Sequence, residues 1–181
     1  MPDLLERKPV LAGKTTLQGA GIRLEALPEG HLLHVMGALT TDGLEAHLSA
    51  AGIKETSVRP AGYRQWFVAG NDVLSAEIVN QLSSALAGRA FVSDQSHGRI
   101  RIGVSGPLAT ELLNRGTAVD LHASAFPEGH AAMTLFGHIS IQLARTGAED
   151  FELTVLRSFG ESLYEELEAL VLSLGAERLA S

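Results

Sequence analysis

Apolar residues recur along this chain with two periods, every second position in some stretches and every third or fourth in others, and the switches between them mark out the elements. Alternation first appears at Ile22-Arg23-Leu24-Glu25-Ala26-Leu27, and Pro28-Glu29-Gly30 is expected to turn the chain into His31-Leu32-Leu33-His34-Val35-Met36 as a hairpin. Helix signals follow, with Thr41 or Asp42 as N-cap, Glu45 placed to close a capping box on Asp42, Leu44, Leu48 and Ala51 on one face, and Gly52 as the stop. Tyr63-Arg64-Gln65-Trp66-Phe67-Val68, rich in aromatic and branched residues, predicts a strand ending at Gly70. Asn71 or Asp72 is expected to cap a helix carrying Leu74, Ile78, Leu82 and Ala85 before Gly88.

The pattern then repeats. A second hairpin is predicted from Ala90-Phe91-Val92 through Gln95-Ser96-His97-Gly98 to Ile100-Arg101-Ile102-Gly103-Val104. Pro107 at a first helical position opens a short helix with Leu108, Leu112 and Leu113 buried and Gly116 as its end. Short strands are expected at 132–136, 139–144 and 151–156, forming an antiparallel set. The last helix is the clearest, with Leu163, Leu167, Leu170, Val171 and Leu174 on one side and Glu161, Glu165, Glu166 and Glu168 on the other. This succession, strand and helix, then strands and a long helix, occurs twice, and it predicts an α+β fold of two related ferredoxin-like halves, each an antiparallel sheet with helices on one face. The expected divisions are a loosely held arm over 1–19, halves over 20–88 and 89–175, and a tail over 176–181.

Composition narrows the function. The chain has 181 residues, 45% of them hydrophobic and 19% charged, enough to bury a core without crosslinks. Its lack of cysteine removes disulfides, thiol nucleophiles and thiolate metal sites, and a reducing cytoplasm is the compartment expected. A net charge of −7 repels a phosphate backbone, so nucleic acid is not an expected partner. The acidic start lacks a secretory pattern, and no apolar run reaches the roughly 18–20 residues that cross a bilayer.

Motifs with known chemistry fail on spacing. Ala12-Gly13-Lys14-Thr15 ends like a phosphate-binding loop, but Lys8 stands where its first glycine belongs. Gly19-Ala20-Gly21 begins a dinucleotide fingerprint, yet Leu24 occupies the third glycine position. The histidines form no helical pair with a carboxylate partner, and a strand would point His31 and His34 to opposite faces. Ser105 lacks the glycine spacing of a nucleophile elbow. No catalytic, cofactor-binding or metal residue is therefore assigned.

Gly103-Val104-Ser105-Gly106-Pro107, Leu112-Leu113-Asn114-Arg115-Gly116, Asp120-Leu121-His122, Ala125-Phe126-Pro127 and Leu156-Arg157-Ser158-Phe159 follow one another in that order, ahead of an amphipathic helix. On these motifs the chain, over Asp94 to Gly175, resembles the gamma subunit family of heterotetrameric sarcosine oxidases. It departs from the family at Tyr164-Glu165-Glu166-Leu167, where members usually carry a tryptophan. The resemblance implies a gamma subunit without a cofactor of its own, in a complex whose alpha and beta subunits carry NAD, FAD and FMN and whose delta subunit carries zinc. Such complexes demethylate sarcosine to glycine and pass the one-carbon unit to tetrahydrofolate, and the gamma subunit is similar in fold to the folate-binding aminomethyltransferase domain.

The resemblance leaves rival readings. One is a free-standing folate-binding protein, for which only Asp120 near Phe126 suggests the carboxylate and apolar slot such a pocket needs. Another is the gamma subunit of an oxidase acting on a different N-methyl amino acid. For the subunit reading, the expected partner-contact residues are Asp120, His122, Phe126, Pro127, Arg157 and Phe159. Pro127 restricts Ala125-Phe126 toward an extended form and could present Phe126 as a rigid anchor, while the same ring could instead fold back into the chain's own core. Isolated from its partners, the chain is expected to show an apolar patch or self-associate.

Overall fold

Two registers of alternation, offset by one residue, decide the architecture. In strand β7 (Arg99–Ser105), Ile100, Ile102 and Val104 are buried in the larger hydrophobic core while Arg101 is buried on the other side. In strand β10 (Asp150–Leu156), Phe151, Leu153 and Val155 share that core, and Glu152 and Thr154 face away. Both faces are covered, one by helices and one by a second sheet. The computed structural model describes residues 8–179.

The smaller sheet comprises β3 (His31–Gly37), β4 (Thr56–Gly62), β5 (Gln65–Gly70) and β6 (Ala90–Asp94), in the order β4-β5-β3-β6 and antiparallel throughout. Helices α1 (Thr41–Ala50) and α2 (Ala76–Ala85) close its core through Leu44, Leu48 and Leu82 packed with Leu33, Val35, Trp66 and Val68. Thr40 caps α1 and Ser75 caps α2, each one to four residues from the caps the sequence suggested. Strand β4 went unpredicted because it is an edge strand with Pro60 in it and a shift of register between Pro60 and Gly62.

The larger sheet has the order β1-β2-β7-β10-β9-β8, with β1 (Leu17–Gly19), β2 (Ile22–Ala26), β8 (Ala131–Phe136) and β9 (Ile139–Arg145). Helix α3 (Ala109–Leu113) and helix α4 (Gly160–Leu179) cover it, α4 burying Leu163, Leu167, Val171 and Leu174 as the periodicity required. The departure residue Tyr164 is also buried, its hydroxyl donating to Thr15 O at 3.0 Å.

Neither expected hairpin forms. Strand β2 pairs with β7 and β3 pairs with β5 and β6, so the segment 27–30 crosses from one sheet to the other. Arg101 holds this crossover by donating to Pro28 O at 3.0 Å, and Glu29 holds it by accepting from Val10 N and Arg157. Gly30 is required there, since a Cβ would lie 2.3 Å from Gly70 O. The segment after β6 crosses back in the same way, with Gln95 N donating to Leu32 O. Sheet membership therefore departs from the expected halves: β1 and β2 lie with the second, and β6 lies with the first. The loose arm is corrected too, because Leu11 is buried and residues 17–19 are strand β1; its first seven residues lie outside those described.

Helix pair, sheet, sheet and helix pair thus stack as layers. Between the sheets Arg59 reaches Glu152, Gln142 donates to Pro60 O at 2.7 Å, and Arg99 lies over the Phe67 ring at 4.9 Å.

Candidate partner surface and inter-sheet cleft

The residues expected to touch a partner fall into two groups at opposite ends of β10. Asp120, His122 and Pro127 are exposed on the loop before β8. Asp120 Oδ1 accepts from His122 N at 2.9 Å and His122 Nδ1 contacts Ser124 Oγ at 2.8 Å, bonds made within the loop. Buried Arg145 fastens the loop by donating to Phe126 O at 3.0 Å and Leu121 O at 3.3 Å. Phe126 is not the exposed anchor: it is 5% exposed and belongs to the larger core, the alternative the sequence had offered. Of the pair suggested for a folate pocket, Asp120 is exposed on the loop and Phe126 is buried in the larger core.

Arg157 and Phe159 lie just beyond the far end of β10, about 20 Å away at 3.3 Å per residue. Arg157 pairs with Glu29 at 2.8 Å and donates to Lys8 O at 3.0 Å, tying the crossover and the chain's beginning together. Phe159 is exposed.

A cluster missed from the sequence occupies the layer between the sheets. Arg59 of β4 donates to both oxygens of Glu152 at 2.6 and 2.9 Å, and Arg101 Nη1 stands 3.6 Å from Glu152. Arg101 Nη2 reaches Gly70 O at 2.9 Å and Asn71 Oδ1 at 2.7 Å. All three charges are buried, and burial pushes the Arg101 guanidinium down while Glu152 pulls it back. The cluster lines a cleft of about 490 Å³ whose rim carries Glu25, Glu55 and Asp150. Arg59 and Arg101 both engage Glu152, so the arrangement clamps the two sheets together. Sequence reading missed it because Arg101, Glu152 and Gln142 alternate with apolar residues and look like a solvated strand face. Among the described residues no group of three or more His, Asp or Glu could hold a metal, and no helix is long and apolar enough to cross a membrane.

With this geometry in place, comparison with known proteins is decisive at the family level. The family model described as "Sarcosine oxidase, gamma subunit family" matches residues 34–170, which takes in all of the smaller sheet except the first residues of β3, and β7 through β10 of the larger. The chain belongs to the sarcosine oxidase gamma subunit family. Outside the family model, no curated protein matches. Among solved structures, this family member is similar to a chain of the heterotetrameric sarcosine oxidase from Corynebacterium sp. U-96 in complex with pyrrole 2-carboxylate, at 20% identity and a TM-score of 0.79, covering 93% of this chain and 96% of that one. It is also similar to the glycine cleavage system aminomethyltransferase T from Bartonella henselae, at 16% identity and a TM-score of 0.57, covering 82% of this chain but 46% of that one. The ligand-free regulatory subunit of aspartate kinase from Thermus thermophilus follows at 15% identity and a TM-score of 0.50, covering 84% and 99%. At these identities the likenesses show the fold, and they agree that the gamma subunit family has an α+β fold of two antiparallel sheets with helices, shared with the aminomethyltransferase.

Proposed function

We propose that this chain is the non-catalytic gamma subunit of a heterotetrameric sarcosine oxidase, holding no cofactor while alpha and beta subunits carry FAD, FMN and NAD and delta carries zinc. The family match over residues 34–170 carries the reading. The likeness that spans 96% of a chain from a heterotetrameric sarcosine oxidase supports it. So does the use of the buried charges, since Arg59, Arg101 and Glu152 are consumed in joining the sheets. In this role the chain contributes surface and rigidity to the complex, and oxidation of sarcosine to glycine, with transfer of the one-carbon unit to tetrahydrofolate, takes place in the companion subunits.

The test is affinity purification of the natively expressed chain, followed by identification of what accompanies it. Alpha, beta and delta flavoenzyme subunits in equal amount, a colourless isolated chain, and sarcosine oxidation only in the full complex are the expected results. Recovery of the chain alone, or a flavin spectrum in the isolated chain, overturns the reading. Assaying the complex on other N-methyl amino acids identifies its substrate.

A further inference from the structure

The strand registers trace transverse rows across the face that the larger sheet turns toward the smaller one. Ala131, Ala144, Glu152 and Gly103 form one row, and Met133, Gln142, Thr154 and Arg101 form the next. Both are covered at β9, β10 and β7, through the bonds of Glu152 to Arg59, Gln142 to Pro60 and Arg101 to Gly70, while Met133 at the β8 edge is exposed. The third row holds Leu135 beside Ser140 and Leu156 beside Arg99. It is not covered: Leu135 is 53% exposed and Leu156 41%.

The smaller sheet matches this overhang. Arg99 rests on Phe67, whose row continues through His34, and the next row outward is Gln65, Met36 and Phe91. Phe91 is 79% exposed, and the adjoining turn carries exposed Tyr63. Leu135 and Leu156 on one sheet and Phe91 on the other thus stand on the rows next outward from the Arg99–Phe67 contact, with Phe159 just beyond Leu156 in the chain. Arg99 sits at the root of this opening. Its Nε is buried without a hydrogen-bond partner, and burial pushes its guanidinium down with no carboxylate to offset it, unlike Arg101.

We propose that this opening is the seat of a companion subunit, and that it receives an acidic residue flanked by apolar side chains. The carboxylate accepts from the Arg99 guanidinium, and its apolar neighbours pack on Leu156, Met36 and Phe91. Charge complementarity selects this occupant over a purely apolar one, because the partly exposed Arg99 guanidinium at the root of the opening is a cation seated on the Phe67 ring beside apolar side chains. The inference rests on the chain being a subunit of a larger complex.

The experiment titrates alpha and beta subunits of the same source with variants of this chain and reads complex formation at two salt concentrations. Arg99→Gln is expected to weaken assembly about tenfold or more and to flatten its salt dependence. Phe91→Asp and Leu156→Asp are expected to weaken it comparably, whereas Val73→Asp and Leu172→Asp, exposed apolar positions elsewhere in the chain, leave it unchanged. Thermal unfolding of each isolated variant separates folding from docking. Hydrogen exchange supplies a readout without mutation, since residues 90–94 and 154–159 should gain protection on assembly. Wild-type assembly undisturbed by the three variants overturns this inference alone. Assembly lost in the control variants instead, or an opening filled by a second copy of the chain, also overturns it. A wild-type chain that does not assemble overturns the subunit reading and this inference with it.

Discussion

Glu152 has an apolar neighbour on either side in sequence and a guanidinium on each of two sides in space. Its charge is what allows Arg59 and Arg101 to be buried, so its loss is felt as two stranded cations. Glu152→Gln should cost about 3–5 kcal/mol, the usual cost of removing one partner from a buried ion pair, measured by chemical denaturation. Replacing the group by well-packed apolar residues is a different operation, and Arg59→Met with Glu152→Leu should recover part of that loss only if Arg101 remains satisfied by Gly70 O and Asn71. Phe126→Ala should likewise cost about 3–5 kcal/mol in the isolated chain, because the ring is core. Its identity as an aromatic was plain in the sequence; the direction it faces depended on Arg145, nineteen residues away, drawing the loop inward.

At the level of elements, alternation located β8, β9 and β10 to within a residue, while helical period found α4 but not its end: the helix runs to Leu179, through 176–179 that were expected to be a tail. What period cannot reveal is the cover on the second face, so β7 and β10 looked half-solvated while Arg101 and Glu152 lay inside. Strand pairing was equally hidden: Pro28-Glu29-Gly30 has turn chemistry, and turn chemistry serves a crossover as well as a hairpin. The contact between α3 and α4 offers a test of another kind. Just past α3, Arg115 forks onto Glu177 of α4 at 2.9 and 2.8 Å, and this holds the Glu177 carboxyl down to about 2. A carboxyl with a depressed folded value contributes stability that is present above the ordinary carboxylate range and lost as pH falls toward the folded value. The difference in unfolding midpoint between wild type and Glu177→Gln should therefore be constant near neutrality, shrink below about pH 4.5 and vanish only below about pH 2. It should be small throughout, because the pair is exposed and salt screens it.

For the whole molecule, the decisive feature is that β2, from the beginning of the chain, occupies the place beside β7 that a ferredoxin-like unit would fill with a strand following α4. A chain starting at residue 29 would lose Ile22 and Leu24 from the larger core and expose the edge of β7. It is expected to retain slow hydrogen exchange in β3 and β5 while amides of β7 and β10 become labile, measured residue by residue. Loss of protection in both sheets at once would show that the inter-sheet charges couple them into one cooperative unit. The family and the broad fold class were legible in the sequence because motifs and periods are local; this closure was not, since it joins residues about eighty apart. The same closure orders events in time. On the ribosome, residues 31–94 emerge as an uninterrupted set and can complete their sheet early, whereas β2 must wait for β7, β10 and the covering helix α4 to be synthesised. Until then a strand with an apolar face stands unsatisfied near the front of the nascent chain, so slowing translation late in the message should lengthen exposure to aggregation and chaperone binding far more than slowing it early.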